Sequence, residues 1–469
     1  MTFVRYRIET SAILRLAGPL IAAQIAQVSM GFVDAVMAGR LGARDLAAVT
    51  LGGSLLWPIC SAWAAVLIAV SPSVAQLFGG GNRERIGHTV RQGLWLAVLM
   101  SAGAFVSLWY SPIVLQYSGI PPELLPVTSG FLRAIAWGTP GLCLFQVLRS
   151  YSEGISMTRP VMYTSVAALA GNIAGNYIFM YGKLGMPKLG AVGCGVASAI
   201  VMWLSAAILL VYILTHKAYK PDGILSRFEW LDWTEVRTLA TIGIPMSLGW
   251  FLEASLLALI ALVMGTLGTS VVAGHQIALS VASLTSMIPT GLALAITVRV
   301  GQAAGRGDTG SARLAGFTGI SLAGAFMAVS ALCIFAFPNA IAGIYTTDPA
   351  ARQMGVMLLF MVALFQISDG LQVTAAGALR GLKDTRSPVI IMAVAYCVIA
   401  LPLGYTLGIV YGGGARAIWL GIVVGTTIAA ILLNARFHLV SRAGLRPVVG
   451  TIRAGGVPGV PRAGKSTIS

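Results

Sequence analysis

Apolar residues fall along this chain in long unbroken runs, with polar residues gathered between them. Runs of helical length lie at 13–37, 47–71, 91–111, 124–148, 161–182 and 190–215, and again at 237–263, 271–297, 314–336, 353–378, 388–411 and 415–437. About 20 apolar residues make a helix of about 30 Å, the thickness of a bilayer's hydrocarbon core, so the pattern predicts an all-α polytopic membrane protein with twelve transmembrane helices. The runs are continuous rather than alternating, which excludes an outer-membrane barrel.

The one long polar interruption, 216–234, holds Lys217, Lys220, Asp222, Arg227, Glu229 and Asp232. It predicts a cytoplasmic linker between two six-helix bundles, 1–215 and 235–438. Residues 439–469 are rich in Gly, Pro and Arg without an apolar period and predict a disordered cytoplasmic tail. The two halves repeat at an offset of 226: Pro19 pairs with Pro245, Gly39 and Gly42 with Gly265 and Gly268, Gln76 with Gln302, and Gly79 and Gly81 with Gly305 and Gly307. After a slip of one or two residues, Gly154 pairs with Gly381 and Pro160 with Pro388. Six helices per half give both halves the same orientation. The result is a parallel internal repeat around a central cleft, the architecture of a secondary transporter.

Composition narrows the class further. Of 469 residues 57% are hydrophobic and 10% charged, with a mean hydropathy of +0.85, which excludes a soluble enzyme or binding domain. The net charge of +16 comes from residues between the apolar runs, and no basic stretch is interleaved with aromatics, so nucleic acid is not the partner. With the N-terminus inside, 24 of the 31 Lys and Arg lie on that side, which predicts both termini in the cytoplasm. The first apolar run is too long for a cleaved signal peptide. Cys60, Cys143, Cys194, Cys333 and Cys397 lie inside apolar runs without CxxC spacing and predict no metal site. "GGGNRER" lacks the GK[ST] ending of a phosphate-binding loop, so no ATP is used and no cofactor is expected.

Among fifteen acidic residues only Asp34, Glu253 and Asp369 fall within apolar spans; the others are assigned to loops or helix ends. A charge at membrane depth costs about 2.5–3.5 kcal/mol on insertion scales, and it persists where it faces an interior or wet cavity. Such carboxylates can take up a proton or a sodium ion from one side and release it to the other. The alternative is a structural hydrogen bond between helices. Gln27 lies two turns before Asp34 on the same helical face, with Gln24 beside it. Asn172 and Asn176, four apart, share a face of the fifth span, and Ser198 on the sixth is placed to join them. Pro19 interrupts the first span's hydrogen bonding and is a candidate hinge. Arg133 is expected to snorkel to the outer surface, and His275 to be a packed polar residue. Trp250, Phe251 and Phe365, near the acidic residues, are candidates for stacking on planar cationic substrates.

The segments "GPLIAAQIAQVSMGFVDAVMAGRLG", "PSVAQLFGGGNR", "LRSYSEGISMTRP", "GNIAGNYIFMYGKLG", "HQIALSVASLTSMIPTGLALAITVRVGQAAG" and "SDGLQVTAAGALRGLKDT" resemble, in this order, the multidrug and toxic compound extrusion (MATE) transporters of the bacterial NorM branch. The resemblance covers about residues 10–440. It implies two six-helix bundles forming an outward-opening V in the inner membrane, and export of organic cations, drugs and dyes in exchange for sodium or protons. It places the family's carboxylates on Asp34, Glu253 and Asp369, its asparagines on Asn172 and Asn176, and its proline on Pro19. Where some relatives carry a tyrosine this chain has Phe365, which removes a hydroxyl from the expected sodium site of Glu253 and Asp369. Twelve helices are enough for a monomer to work. The rival readings are a lipid-linked precursor flippase of the wider superfamily, which needs deep cationic groups, and a membrane-embedded transferase, which needs acid or metal clusters.

Overall fold

Each of the twelve apolar runs is a helix in the computed structural model, which describes residues 2–117, 121–224 and 226–442. The first half contains α1 (Thr2–Leu41), α2 (Ala43–Gly79), α3 (Arg83–Gln116), α4 (Leu125–Ala136 and Thr139–Gly154), α5 (Arg159–Phe179) and α6 (Ala191–Thr215). The second contains α7 (Trp233–Gly265), α8 (Thr269–Gly305), α9 (Thr309–Ala336), α10 (Pro349–Gly381), α11 (Arg386–Val410) and α12 (Gly414–Arg442). Among the described residues ten of these are long and apolar enough to cross a membrane alone, and the two parts of α4, bent by 44° after Trp137, make an eleventh. The twelfth, α5, is less apolar because of its asparagines; it packs between α1 and α6. Residues 439–442, expected in the tail, continue α12, because Leu439 and Ser441 keep its helical pattern of exposed and buried sides. The rest of the expected tail, from 443, lies outside the described residues.

The halves are not separate bundles at the end where α1 begins. Ile13, Ala17 and Leu20 of α1 are buried in a core made by α8, α9, α10 and α12, and Val236 and Leu239 of α7 are buried in the core of α2, α3, α4 and α6. The first part of each half's leading helix thus belongs to the other half. Glu9 of α1 seals one crossing with a bidentate ion pair to Arg299 of α8, at 2.8 and 2.6 Å. Its repeat equivalent Glu235 accepts a hydrogen bond from the Thr89 hydroxyl at 2.9 Å. Farther along, Ile25, Val28 and Phe32 of α1 and Phe251, Leu259 and Leu262 of α7 are exposed, so the crossing is confined to one end.

The polar stretch 216–234 is a docked strap. Asp222 accepts from Arg83 at 2.9 Å and from the Tyr151 hydroxyl at 2.8 Å; Glu229 binds Arg91 at 2.9 Å and His88 at 2.7 Å; Gln92 bonds the backbone of Trp230 and Asp232. Trp95 stacks on Trp230 with ring centres 6.4 Å apart. The Arg91 guanidinium is the largest influence holding the Glu229 carboxyl down, to about 2. A depressed carboxyl stabilises the docked form above its ordinary titration range, and that contribution is lost only as pH falls toward about 2. The strap is therefore expected to stay docked at any physiological pH. Glu229→Ala removes the carboxylate partner of the buried Arg91, leaving it the Gly223 and Ile224 carbonyls, at a cost of roughly 1–3 kcal/mol. Hydrogen exchange and proteolysis in 216–234 should accelerate, and unchanged protection would show that Glu229 does not hold the strap.

Candidate functional site

Two polar clusters form within the long apolar helices, one in each half. In the first, Asp34 of α1 accepts the side-chain amides of Asn172 at 3.0 Å and Asn176 at 2.6 Å, while Asn176 also donates to Asn172 at 3.3 Å. Asn172 and Asn176 meet one carboxylate because residues four apart on α5 stand one above the other. Cys194 of α6 adjoins the carboxylate and Ser198, one turn on, adjoins Cys194. The amide oxygen of Asn176 is buried and has no hydrogen-bond partner among the described residues.

Gln27 does not join this cluster. It accepts from Arg149 at 3.1 Å, Gln24 accepts from the same guanidinium at 2.9 Å, and Arg149 pairs with Glu153 at 2.7 Å. Arg149, Glu153 and Glu9, assigned to loops or helix ends on hydropathy, are all buried inside the fold. The spacing of Arg149 and Glu153, one helical turn, was the available signal.

In the second half, four helices converge on a cavity of about 140 Å³. Helix α7 supplies Pro245, Trp250 and Glu253, α8 supplies Ser286 and Thr290, α10 supplies Asp369, Gln372 and Arg380, and α11 supplies Pro388 and Met392. A water takes about 30 Å³ of liquid and drug-sized pockets begin at about 300 Å³, so this cavity holds a small ion with a few waters but no drug. Among the described residues neither the Glu253 nor the Asp369 carboxylate makes a hydrogen bond or an ion pair with a protein group. Asp34 is held by two amides; Glu253 and Asp369 are left free toward a shared space.

Two further residues of this site escaped the sequence reading. Arg380, counted there as a loop charge, lines the same cavity. It follows Asp369 by eleven residues, three helical turns, so the two share a face of α10. Tyr396 is buried in a π-helical stretch of α11, Val394–Ala400, and its hydroxyl accepts from the Gln372 amide. A hydroxyl thus stands near the carboxylates although Phe365 lacks one. Phe365 itself packs edge-on against Trp419 of α12, with ring centres 6.0 Å apart, and does not line the cavity. Phe251 is half exposed and outside the cavity as well; of the three aromatic candidates only Trp250 reaches it.

Pro19 sits inside an unbroken α1, two residues before Ile21, which backs onto Gly291 of α8 where the halves meet. His275 is buried and accepts from the Trp419 indole at 3.2 Å. Arg133 is exposed and lies over the Trp109 ring at 5.4 Å. A larger cavity of about 1260 Å³, lined mostly by apolar residues such as Met354, Met357 and Phe360, runs between α9 and α10 and shares no residue with the carboxylate cavity.

The arrangement suits reversible binding of a small cation. The MatE family profile matches residues 19–178 and 245–406, once in each half and at the offset of the internal repeat. The "Multidrug resistance protein PmpM" of Pseudomonas aeruginosa is 42% identical over 448 residues, covering 94% of each chain. The "Multidrug resistance protein MdtK" of Yersinia enterocolitica is 41% identical over 439 residues, covering 92% of this chain and 96% of the relative. A solved structure described as the outward-facing conformation of a multidrug resistance MATE family transporter of the MOP superfamily superposes with a TM-score of 0.85. It is 21% identical and covers 93% of this chain and 96% of that one. A eukaryotic MATE transporter, AtDTX14, superposes at 0.84 with 20% identity, covering 93% and 98%. A family profile that matches both halves and relatives above 40% identity along nearly the whole length lead to one conclusion: this chain belongs to the MatE family of membrane transporters.

Proposed function

We propose that this protein is a multidrug efflux antiporter of the bacterial inner membrane that exports organic cations and amphipathic drugs in exchange for sodium ions or protons. The observation that carries the reading is the pair of carboxylates, Glu253 and Asp369, on one ion-sized cavity, neither of which makes a hydrogen bond or ion pair among the described residues. Two negative groups at membrane depth persist where they bind something positive. The names of the relatives support drugs as the exported cargo. The end at which the halves cross carries the larger share of Lys and Arg and is the cytoplasmic one, with both termini on it. Drug and ion bind different states or compete for the same charge, since a ligand with equal affinity for both states shifts nothing. A monomer carries the whole site.

The lipid-linked precursor reading needs cations free to hold a pyrophosphate. Arg149 is committed to Glu153, Gln24 and Gln27, and Arg380 faces carboxylates, which counts against it. The test is efflux of a cationic fluorescent dye from loaded, energy-depleted cells after a sodium pulse or an acid pulse. Efflux with one pulse is expected and identifies the ion. No efflux with either, from protein shown to be folded in the membrane, overturns the drug-exporter reading and brings lipid-linked substrates forward.

A further inference from the structure

The two halves place different charges at matching positions. At the repeat offset Gln27 corresponds to Glu253, and after the slip of one residue Glu153 corresponds to Arg380. In the first half the matched residues are joined by Arg149, which holds Glu153 at 2.7 Å and Gln27 at 3.1 Å. One cation and one anion leave that cluster neutral. In the second half the matched place holds Glu253, Asp369 and Arg380 around one cavity, two carboxyls and one cation, so that with both carboxyls ionised the net charge is −1.

Arg380 also differs from Arg149 in having no committed partner. Its Nε is buried and unbonded, and none of the ion pairs among the described residues includes it. A buried donor left without an acceptor is costly, and the guanidinium keeps its charge because arginine does not deprotonate in proteins. The cost is offset if another state of the transport cycle supplies the missing acceptor, and the nearest anions are the carboxylates of the same cavity.

We propose that Arg380 is the resident counter-cation of this cavity: it cancels one carboxylate charge, so that the site takes one monovalent cation per cycle, and it pairs with Glu253 once that cation has left. The inference rests on the coupling role of Glu253 and Asp369. A monovalent cation brings the cavity to neutrality, whereas a divalent one leaves a buried positive charge without a partner. Arg380 therefore acts through the carboxylates as a positioning residue and sets how many ions they accept.

The test is ethidium transport by the full chain in proteoliposomes, measured against the concentration of the driving ion, sodium at fixed pH or protons without sodium. The unaltered protein is expected to saturate with a Hill coefficient of about 1. Arg380→Gln leaves the cavity at −2, so the coefficient should rise toward about 2 and the half-saturating concentration should fall about tenfold. Arg380→Lys keeps the charge and should keep a coefficient of about 1, which a purely structural role for the guanidinium does not predict. Glu253→Gln with Arg380→Gln restores −1 and should regain ion-driven transport lost in Glu253→Gln alone. An Arg380→Gln protein with unaltered half-saturation and Hill coefficient, or a double variant no better than Glu253→Gln, overturns the proposal. If Arg380→Gln does not reach the membrane, the double variant decides, since it removes one buried charge of each sign. Failure of the coupling reading looks different: Glu253→Gln alone then keeps ion-driven transport.

Discussion

Glu253→Gln and Asp369→Asn should each reduce ion-driven dye efflux to background while leaving the protein in the membrane at normal amounts. Both replacements keep the shape of the side chain and remove the charge, and the carboxylates make no hydrogen bond or ion pair among the described residues that an amide would break. At membrane depth a neutral amide is also cheaper to insert than a carboxylate, so folding is not the step at risk. What disappears is the attraction for the driving ion. Each net charge moved across the membrane contributes about 2.3 kcal/mol per 100 mV, roughly a fifty-fold concentration ratio, and a transporter that no longer binds the ion loses that factor. Asp34→Asn is the informative contrast. An amide at 34 still accepts from Asn172 or Asn176, whose donors converge on one oxygen at 3.0 and 2.6 Å, so most of the cluster's geometry survives. Its effect on ion dependence should be much smaller than that of either second-half variant. Equal losses in all three, measured as initial efflux rate per folded protein, would place Asp34 in the coupling path and sink the division of labour drawn here.

Twelve helices, a parallel repeat and the placing of three carboxylates within apolar helices were all legible along the chain, because apolar run length and fixed offsets survive without knowledge of packing. Asn172 and Asn176 were legible as a pair for the same local reason, being one turn apart. What a helical face does not reveal is its neighbour. Gln27 and Asp34 share a face of α1, yet seven residues separate them by about 10.5 Å along the axis, enough for one to meet Arg149 of α4 and the other the asparagines of α5. Hydropathy ended the tenth run at 378 and so put Arg380 in a loop, although helix α10 continues to Gly381 and carries it on the Asp369 face. Glu9, Arg149 and Glu153 were misplaced likewise: a charge near the end of an apolar run reads as solvated, and only a partner across the fold, Arg299 for Glu9, makes its burial possible. The exchange of α1 and α7 between halves leaves no trace in hydropathy at all. It depends on which bundle each first turn meets.

Valine at Gly79 or Gly305 should abolish efflux by a different route, by holding open the end at which the halves cross. The repeat pairs Gly79 with Gly305 and Gln76 with Gln302, and in the folded chain these residues face each other across the two halves. A side-chain carbon added at Gly79 would overlap the Gln302 carbonyl oxygen, and one added at Gly305 would overlap the Gln76 carbonyl oxygen. Backbone cannot give way as a flexible side chain does, so the two helices must separate. Around this contact Gln76 donates to the Gly381 carbonyl at 2.9 Å, and Gln302 to the Gly154 carbonyl at 3.0 Å and the Ser156 hydroxyl at 2.8 Å. Each bond runs from one half to the other; the two to backbone carbonyls are buried and the one to Ser156 is half-buried. If the halves part, about three such bonds go at roughly 0.5–1.5 kcal/mol each, together enough to shift a two-state equilibrium by at least tenfold. A cysteine at Ala75, which is buried and packs toward Gly301 across the seal, reports the state directly. In inside-out vesicles a membrane-impermeant maleimide should leave this cysteine unlabelled in the otherwise unaltered protein and label it in the Gly79→Val or Gly305→Val background. Gln76→Ala and Gln302→Ala, which break bonds without adding bulk, should give intermediate labelling and residual efflux. Lost efflux with the cysteine still protected would mean that the valine acts by misfolding, and the seal would then have no part in the transport cycle.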